Sequence, residues 1–244
     1  MKSSSPTTRD SIAMRGAGVV QIEQPAKGHR FTLDSILLAD FCRVKPKDRV
    51  LEPGGGTGVI SFLLAKKHPR SLFYPVEVQE DLYALCEANR RANGLDNVIS
   101  IRRDIRRLNQ SIHPGGFDVI VANPPYQKGG TGRSSPDKGR QAARQDLLGR
   151  IEFWVDLQMF LKQGGRYNLV FPAARLAELC SLMRSRKLEP KRLRSVHPRE
   201  DRPASLVLVE AVKNGGTELT ILPPLVVHEK DGEYSAEMRD IYAI

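Results

Sequence analysis

Two rhythms of hydrophobic and polar positions alternate along the chain. One is the short apolar run: Asp48 to Glu52, Leu72 to Val78, Asn97 to Arg102, Phe117 to Ala122 and Arg166 to Phe171. Runs of this length predict strands, and the unbroken Phe117 to Ala122 run suits a strand buried on both faces of a parallel sheet. The other rhythm is helical: Val59 to Lys67, Gln79 to Asn93, Gln145 to Leu161 and Ala173 to Lys187. In the second of these, Leu82, Leu85 and Cys86 share one face and Gly94 serves as C-cap; Gly164-Gly165 does the same for the third. Ahead of the first strand, Asp34 or Ser35 can cap a helix carrying Ile36, Leu37 and Leu38. At the far end, Arg192 to His197 and Ser205 to Lys213 predict two strands joined by the polar loop Pro198 to Ala204, short enough for antiparallel pairing.

Strands alternating with helices predict an α/β fold: a doubly wound, mostly parallel, seven-stranded sheet that ends in an antiparallel C-terminal hairpin. No internal repeat and no long linker interrupts residues 15–244, which read as one domain. Residues 1–14 are polar and charged enough to predict a disordered segment.

Composition narrows the class. Cys42, Cys86 and Cys180 are too few and too scattered for a disulfide framework or a zinc site, which fits a reducing, cytoplasmic setting. The N-terminus has no apolar signal region, and no run of about 18 apolar residues exists to span a membrane. The net charge is +10, a balance that suits a polyanionic partner, nucleic acid above all.

The chemistry begins in the stretch from Arg49 to Ser61, RVLEPGGGTGVIS. Glycines at 54, 55, 56 and 58 sit between a strand and a helix, where the chain must turn tightly and a ligand can approach the backbone. The spacing is not GxGxxG, and no Lys-Ser/Thr pair follows as in a phosphate-binding loop. Two further acids, Glu77 and Asp104, stand at successive strand ends, the edge where ligands of such sheets bind.

The fourth strand stops on Asn123-Pro124-Pro125-Tyr126. Proline fixes φ, lacks an N–H and restricts the residue before it, so Asn123 and Pro124 hold an extended, rigid shape. The Asn123 side-chain oxygen and the Pro124 carbonyl then form paired acceptors for the two hydrogens of a planar amine. Acceptors at both hydrogens pull the nitrogen towards sp3 character and free its lone pair for attack. Tyr126 offers a face for stacking.

The acid–spacer–Gly-x-Gly-x-Gly pattern resembles motif I of class I methyltransferases, which bind S-adenosylmethionine (SAM) in a Rossmann-like sheet. The resemblance implies that Gly54, Gly56, Thr57 and Gly58 back the methionine end of SAM. It puts Glu52 on the ammonium, directly or through water, Glu77 with Val78 on the ribose, and Asp104 with Ile105 by the adenine. The usual motif acid is Asp, so Glu52-Pro53 is a departure. Asn123-Pro124-Pro125-Tyr126 resembles motif IV of amino-methyltransferases, with Asn123, Pro124 and Tyr126 catalytic and Asn123 also against the cofactor. These enzymes modify the exocyclic amine of adenine or cytosine, or the side-chain amide of glutamine, and need no metal.

Two further stretches, Lys27 to Phe41 (KGHRFTLDSILLADF) and the tail DGEYSAEMRDIYAI, resemble the bacterial tRNA1(Val) adenine-37 N6-methyltransferase family. By that resemblance Arg30, Phe31, Thr32 and Asp34 line the cofactor pocket as an N-terminal lid, and the partner is tRNA. Many members carry Ala-Arg-His-Glu where this chain has Ala143-Arg144-Gln145-Asp146. RNA contacts are expected from Lys128, Arg133, Arg140 and Arg144 in a glycine-rich loop after the tetrapeptide, and from Arg199 and Arg202 in the last hairpin. Arginine clusters at 102–107 and 184–194 add to this basic surface. Chemistry on a base edge needs an unstacked base, and loop bases are cheap to extrude.

The runner-up reading is a glutamine-N5 methyltransferase acting on peptide release factors. Its family carries an N-terminal helical domain for which the position of Gly54 leaves no room. A DNA adenine methyltransferase would need an added recognition domain, and a non-catalytic binder of RNA or SAM would not need an intact Asn123 to Tyr126. The sequence sets no oligomeric state.

Overall fold

The computed structural model describes residues 6–28, 30–110, 112–125 and 150–244. The first surprise is at the N-terminus. Strands β1 (Thr7–Met14) and β2 (Gly18–Pro25) form an antiparallel hairpin, registered Met14 to Gly18 across a short turn. The disordered segment expected through residue 14 is therefore corrected from Thr7 onward. Ile12, Met14, Val20, Ile22 and Gln24 alternate inward and are buried, while the polar first half of β1 remains exposed and hid the pattern.

The main sheet contains β3 (Arg49–Pro53), β4 (Leu72–Glu77), β5 (Ile101–Arg102), β6 (Phe117–Ala122), β7 (Leu161–Pro172), β8 (Leu188–Arg199) and β9 (Leu206–Lys213). They lie in the order β5-β4-β3-β6-β7-β9-β8, with β9 antiparallel to both of its neighbours. These are the seven strands and the C-terminal hairpin that the sequence predicts. Two short additions, β10 (Thr220–Ile221) and β11 (Leu225–His228), extend β8 in parallel.

Helices cover both faces, because each strand buries side chains alternately up and down. One core gathers α1 (Leu33–Phe41), α2 (Val59–Lys67), the inward residues of the β1–β2 hairpin and Val119 and Val121 of β6. The other gathers α4 (Ile151–Asp156), α5 (Leu176–Ser185) and Ile120, Ala122 and Tyr167. Helix α3 (Glu80–Ala92) is amphipathic and buries only Leu82, Cys86 and Asn89, and α6 (Ala236–Ile241) closes the C-terminus.

Several boundaries differ from the sequence reading for local reasons. Helix α1 starts after an extended Thr32 with no side-chain cap, so neither Asp34 nor Ser35 is its N-cap. Within the predicted helix 145–161, the described part is α4 and a 3-10 turn to Phe160, and Leu161 already belongs to β7. Gly164-Gly165 lies inside β7, not at a helix end. There the pairing with β6 jumps from Phe117–Leu161 to Val119–Arg166, and Gly164 takes φ +71°. The third strand shrinks to Ile101–Arg102 with one bridge from Val98 to Phe73. Among the described residues no helix is long and apolar enough to cross a membrane.

Candidate functional site

Three strand ends meet at the carboxyl edge of the sheet. One residue past the Pro53–Val76 pair, Gly54 comes level with Glu77, and the β3–β6 register from Leu51–Ile120 brings it level with Asn123. The glycine loop, the acid closing β4 and the Asn-Pro-Pro segment after β6 therefore share one row across strands about 5 Å apart. The row straddles the point where the strand order reverses, with β4 and β5 on one side of β3 and β6 on the other. Ligands of open α/β sheets bind in the crevice at that point.

The loop is moulded against β4. Gly54 and Gly55 both donate their N–H to the Val76 carbonyl, at 2.9 and 3.0 Å. A Cβ on Gly55 would lie 2.7 Å from Cβ of Pro75, so only glycine lets the loop sit this close. Gly58 begins α2 at φ +93°, where a Cβ would strike the Phe62 ring. Among the described residues a Cβ on Gly56 would meet nothing within 4 Å, so they leave the space in front of it open.

Glu52 braces the loop from behind. It is 3% exposed, and its Oε2 accepts the Ser61 N–H at 3.0 Å and the Ser61 hydroxyl. Burial pushes its carboxyl up to about 7; the Ser61 bonds oppose the rise and the Glu77 charge adds to it. The oxygen bonded to Ser61 thus faces the protein. Glu77 is held more openly. Its Oε1 accepts the N–H groups of Val78 and Gln79, both at 2.8 Å, and its Oε2 accepts that of Gly56 at 3.1 Å. These three bonds take all but one of the roughly four lone-pair positions on a carboxylate.

Asp104 opens the 3-10 turn Ile105–Gln110 and is gripped by Arg106, whose Nε lies 2.9 and 3.0 Å from its two oxygens. Arg102 pairs with Glu80, so two arginines of the first expected RNA cluster already serve local carboxylates. In the second, Arg192 reaches Glu210 and the Phe41 carbonyl, Arg194 reaches Glu237 and the Pro223 carbonyl, and both are largely covered. Internal bonding, not display to a ligand, accounts for these two.

Asn123 is half-buried, and its Nδ2 donates to Ser35 Oγ of α1 at 3.2 Å. Pro124 behind it is buried. Thr32 hydrogen-bonds the Asp34 carboxyl, which burial shifts upward against that bond. Arg30 turns to the hairpin: it bonds the Thr8 hydroxyl at 2.7 Å and the Pro25 carbonyl at 3.1 Å, and pairs with Asp10. Phe31 donates its N–H to Gln24 Oε1 at 3.2 Å. Tyr126, Lys128, Arg133, Arg140 and Arg144 lie outside the described residues. Arg199, the last residue of β8, and Arg202 in the loop after it are exposed, at the same edge of the sheet as Asn123. Arg199 shares a cavity with Lys230, Glu200, Asp201, Glu229 and Asp231, so the field there is mixed rather than basic.

Sequence reading missed Ser35 and Ser61, which hold Asn123 and Glu52, and it missed Asn89 and Asn93. Asn89 carried a signal, since asparagine inside a helix is a poor helix former and needs another reason to be there. The donor set fits SAM. The loop from Glu52 to Ile60 carries two carboxylates at its margin, Glu52 and Glu77, and no basic side chain, which suits a sulfonium cation better than a phosphate.

Comparison with known proteins agrees with this geometry. The family profile described as methyltransferase small domain matches residues 29–171. A tRNA1(Val) (adenine(37)-N6)-methyltransferase of Tolumonas auensis is 28% identical, covering 88% of this chain and 89% of its own. The enzyme so named in Parabacteroides distasonis is 26% identical, with 86% and 89% covered. Among solved structures, a predicted O-methyltransferase from Agrobacterium tumefaciens superposes with a TM-score of 0.68 at 20% identity, covering 86% of this chain and 96% of that one. The 16S rRNA N2 G1207 methyltransferase of Thermus thermophilus, in complex with AdoMet and guanosine, gives 0.62 at 18%, covering 86% and 51%. At such identities these two bear on the fold alone. Since the family profile spans the glycine loop, the strand-end acids and the Asn-Pro-Pro segment together, the chain belongs to the methyltransferase small domain family and is a SAM-dependent methyltransferase.

Proposed function

We propose that this enzyme transfers a methyl group to the exocyclic N6 amine of an adenine in tRNA, at adenine 37 of the anticodon loop. The observation that carries the reading is the position of Asn123-Pro124 at the reversal point of the strand order, level with the glycine loop. Bound SAM supplies an electrophilic methyl carbon on a neutral leaving group. The Asn123 side-chain oxygen and the Pro124 carbonyl accept the two amine hydrogens and aim the nitrogen lone pair. Ser35 takes one hydrogen of the Asn123 amide and so holds its orientation. Tyr126 stacks on the base, and Lys128, Arg133, Arg140, Arg144, Arg199 and Arg202 meet RNA phosphates. The relatives' names support tRNA as the partner, and with it a cytoplasmic setting.

The test labels unmodified tRNA and a peptide release factor side by side with tritiated SAM, followed by nucleoside analysis. N6-methyladenosine in tRNA supports the reading; label on the release factor overturns it in favour of glutamine-N5 transfer. Asn123→Ala should lose about 100-fold or more in kcat, on the scale of a lost transition-state contact, while SAM affinity changes little. Unchanged turnover would sink the two-acceptor account.

A further inference from the structure

We infer that Asn89 is a positioning residue that joins the β1–β2 hairpin to the glycine loop, so that docking of the hairpin and binding of SAM stabilise each other. The inference rests on the site being a SAM site. The edge of β2 away from β1 would leave backbone groups unpaired, and the side chains of Asn89 in α3 and of Asn93, its C-cap, pair them. Asn93 accepts the Gln21 N–H at 2.9 Å and donates to the Gln21 carbonyl at 2.7 Å. Asn89 accepts the Glu23 N–H and donates to the Glu23 carbonyl, both at 2.8 Å. Four residues of helix rise about 6 Å and two residues of strand about 6.8 Å, so asparagines one turn apart match alternate strand residues as a neighbouring strand would.

Asn89 does one thing more. The same Nδ2 bonds the Thr57 carbonyl at 3.3 Å. That carbonyl belongs to the peptide whose N–H is on Gly58, and the Gly58 N–H is fixed on its other side by the Gly55 carbonyl at 2.8 Å. One buried amide therefore orients a peptide of the glycine loop and holds the hairpin. The hairpin in turn holds residues 30–31 through Gln24 and through Thr8, Asp10 and Pro25. Those residues lead into α1, whose Ser35 bonds Asn123. A continuous bonded path thus runs from the loop through the hairpin to the acceptor of the amine. Coupling of this kind is reciprocal by thermodynamic necessity.

The experiment compares wild type, Asn89→Leu and Asn93→Leu by calorimetry with SAM and by hydrogen exchange with and without it. SAM should slow exchange of the Gln21 and Glu23 amides in the wild type. Asn89→Leu should raise the SAM Kd about tenfold or more and abolish that protection. Asn93→Leu, which has no contact with the loop, should keep the Kd within about threefold. A SAM Kd unchanged in Asn89→Leu overturns the inference, as does wild-type hairpin exchange indifferent to SAM, a result that stands even if the variant fails to fold. If the wild type binds no SAM at all, it is the SAM assignment that fails.

Discussion

Glu52→Gln separates the electrostatic cost of the buried carboxylate from its structural role. The Gln amide oxygen can still accept both Ser61 donors, so the brace between β3 and α2 survives. What disappears is the titration. Burial raises the folded-state pKa from 4.5 to about 7. Between those values the folded protein keeps a proton that the unfolded chain has released. Stability contributed by this group is thus intact below pH 4.5 and is lost as pH rises to about 7. At 1.36 kcal/mol per unit, the loss approaches about 3 kcal/mol, or roughly 6–12 °C in Tm for a chain of this size. Urea melts of wild type and Glu52→Gln, without SAM, at pH ~5 and pH ~8 read the effect as a change in their stability difference. Any fixed penalty from the extra amide hydrogens cancels in that change, as do all other titrations. The Gln form should gain roughly 2–3 kcal/mol relative to wild type between the two conditions. A difference that stays constant with pH would show that Glu52 is ionised in the folded state and that Ser61 outweighs its desolvation.

Gly58→Ala should abolish SAM binding and lower Tm by several degrees, because φ +93° is strained for alanine and the new Cβ meets the Phe62 ring; unchanged calorimetry would refute the account of the loop. Glu210 is fully buried and paired with Arg43 and Arg192, so Glu210→Ala should cost about 3–5 kcal/mol in a urea melt. Asn168 is also fully buried, and among the described residues neither polar atom of its side chain has a partner, so Asn168→Leu should stabilise the fold by about 1–2 kcal/mol, read in the same melt.

Much of the fold was legible because parallel strands advertise themselves. Val119 to Ala122 is apolar at every position, and α2 and β6 begin and end where the sequence predicts. The glycine loop was legible for the same local reason: four glycines between a strand and a helix have few other uses. The hairpin was not, since its inward residues are split by Arg15 to Gly18 and its first half faces solvent. The bulge at Gly164 was misread as a helix cap because both uses place glycine at positive φ, and only the partner strand decides between them. Among the site residues, those whose backbone is special could be found from the sequence. Those that act by reaching another element, such as Ser35 and Ser61, depend on tertiary distance and leave almost no local trace.

The row formed by Glu77, Gly54 and Asn123 also bears on how this enzyme can change over generations. Each member stands at the end of a different strand, and each strand counts in steps of one residue. Deleting a single residue from β6 would draw Asn123 back by about 3.3 Å and turn its side chain to the opposite face. No small repacking restores that, so such lengths are inherited all or nothing. Insertions after the row, in the segments that leave the sheet, carry no such penalty. Loop lengths are therefore free to drift while the spacing of Glu77, Gly54 and Asn123 stays quantised by the strands.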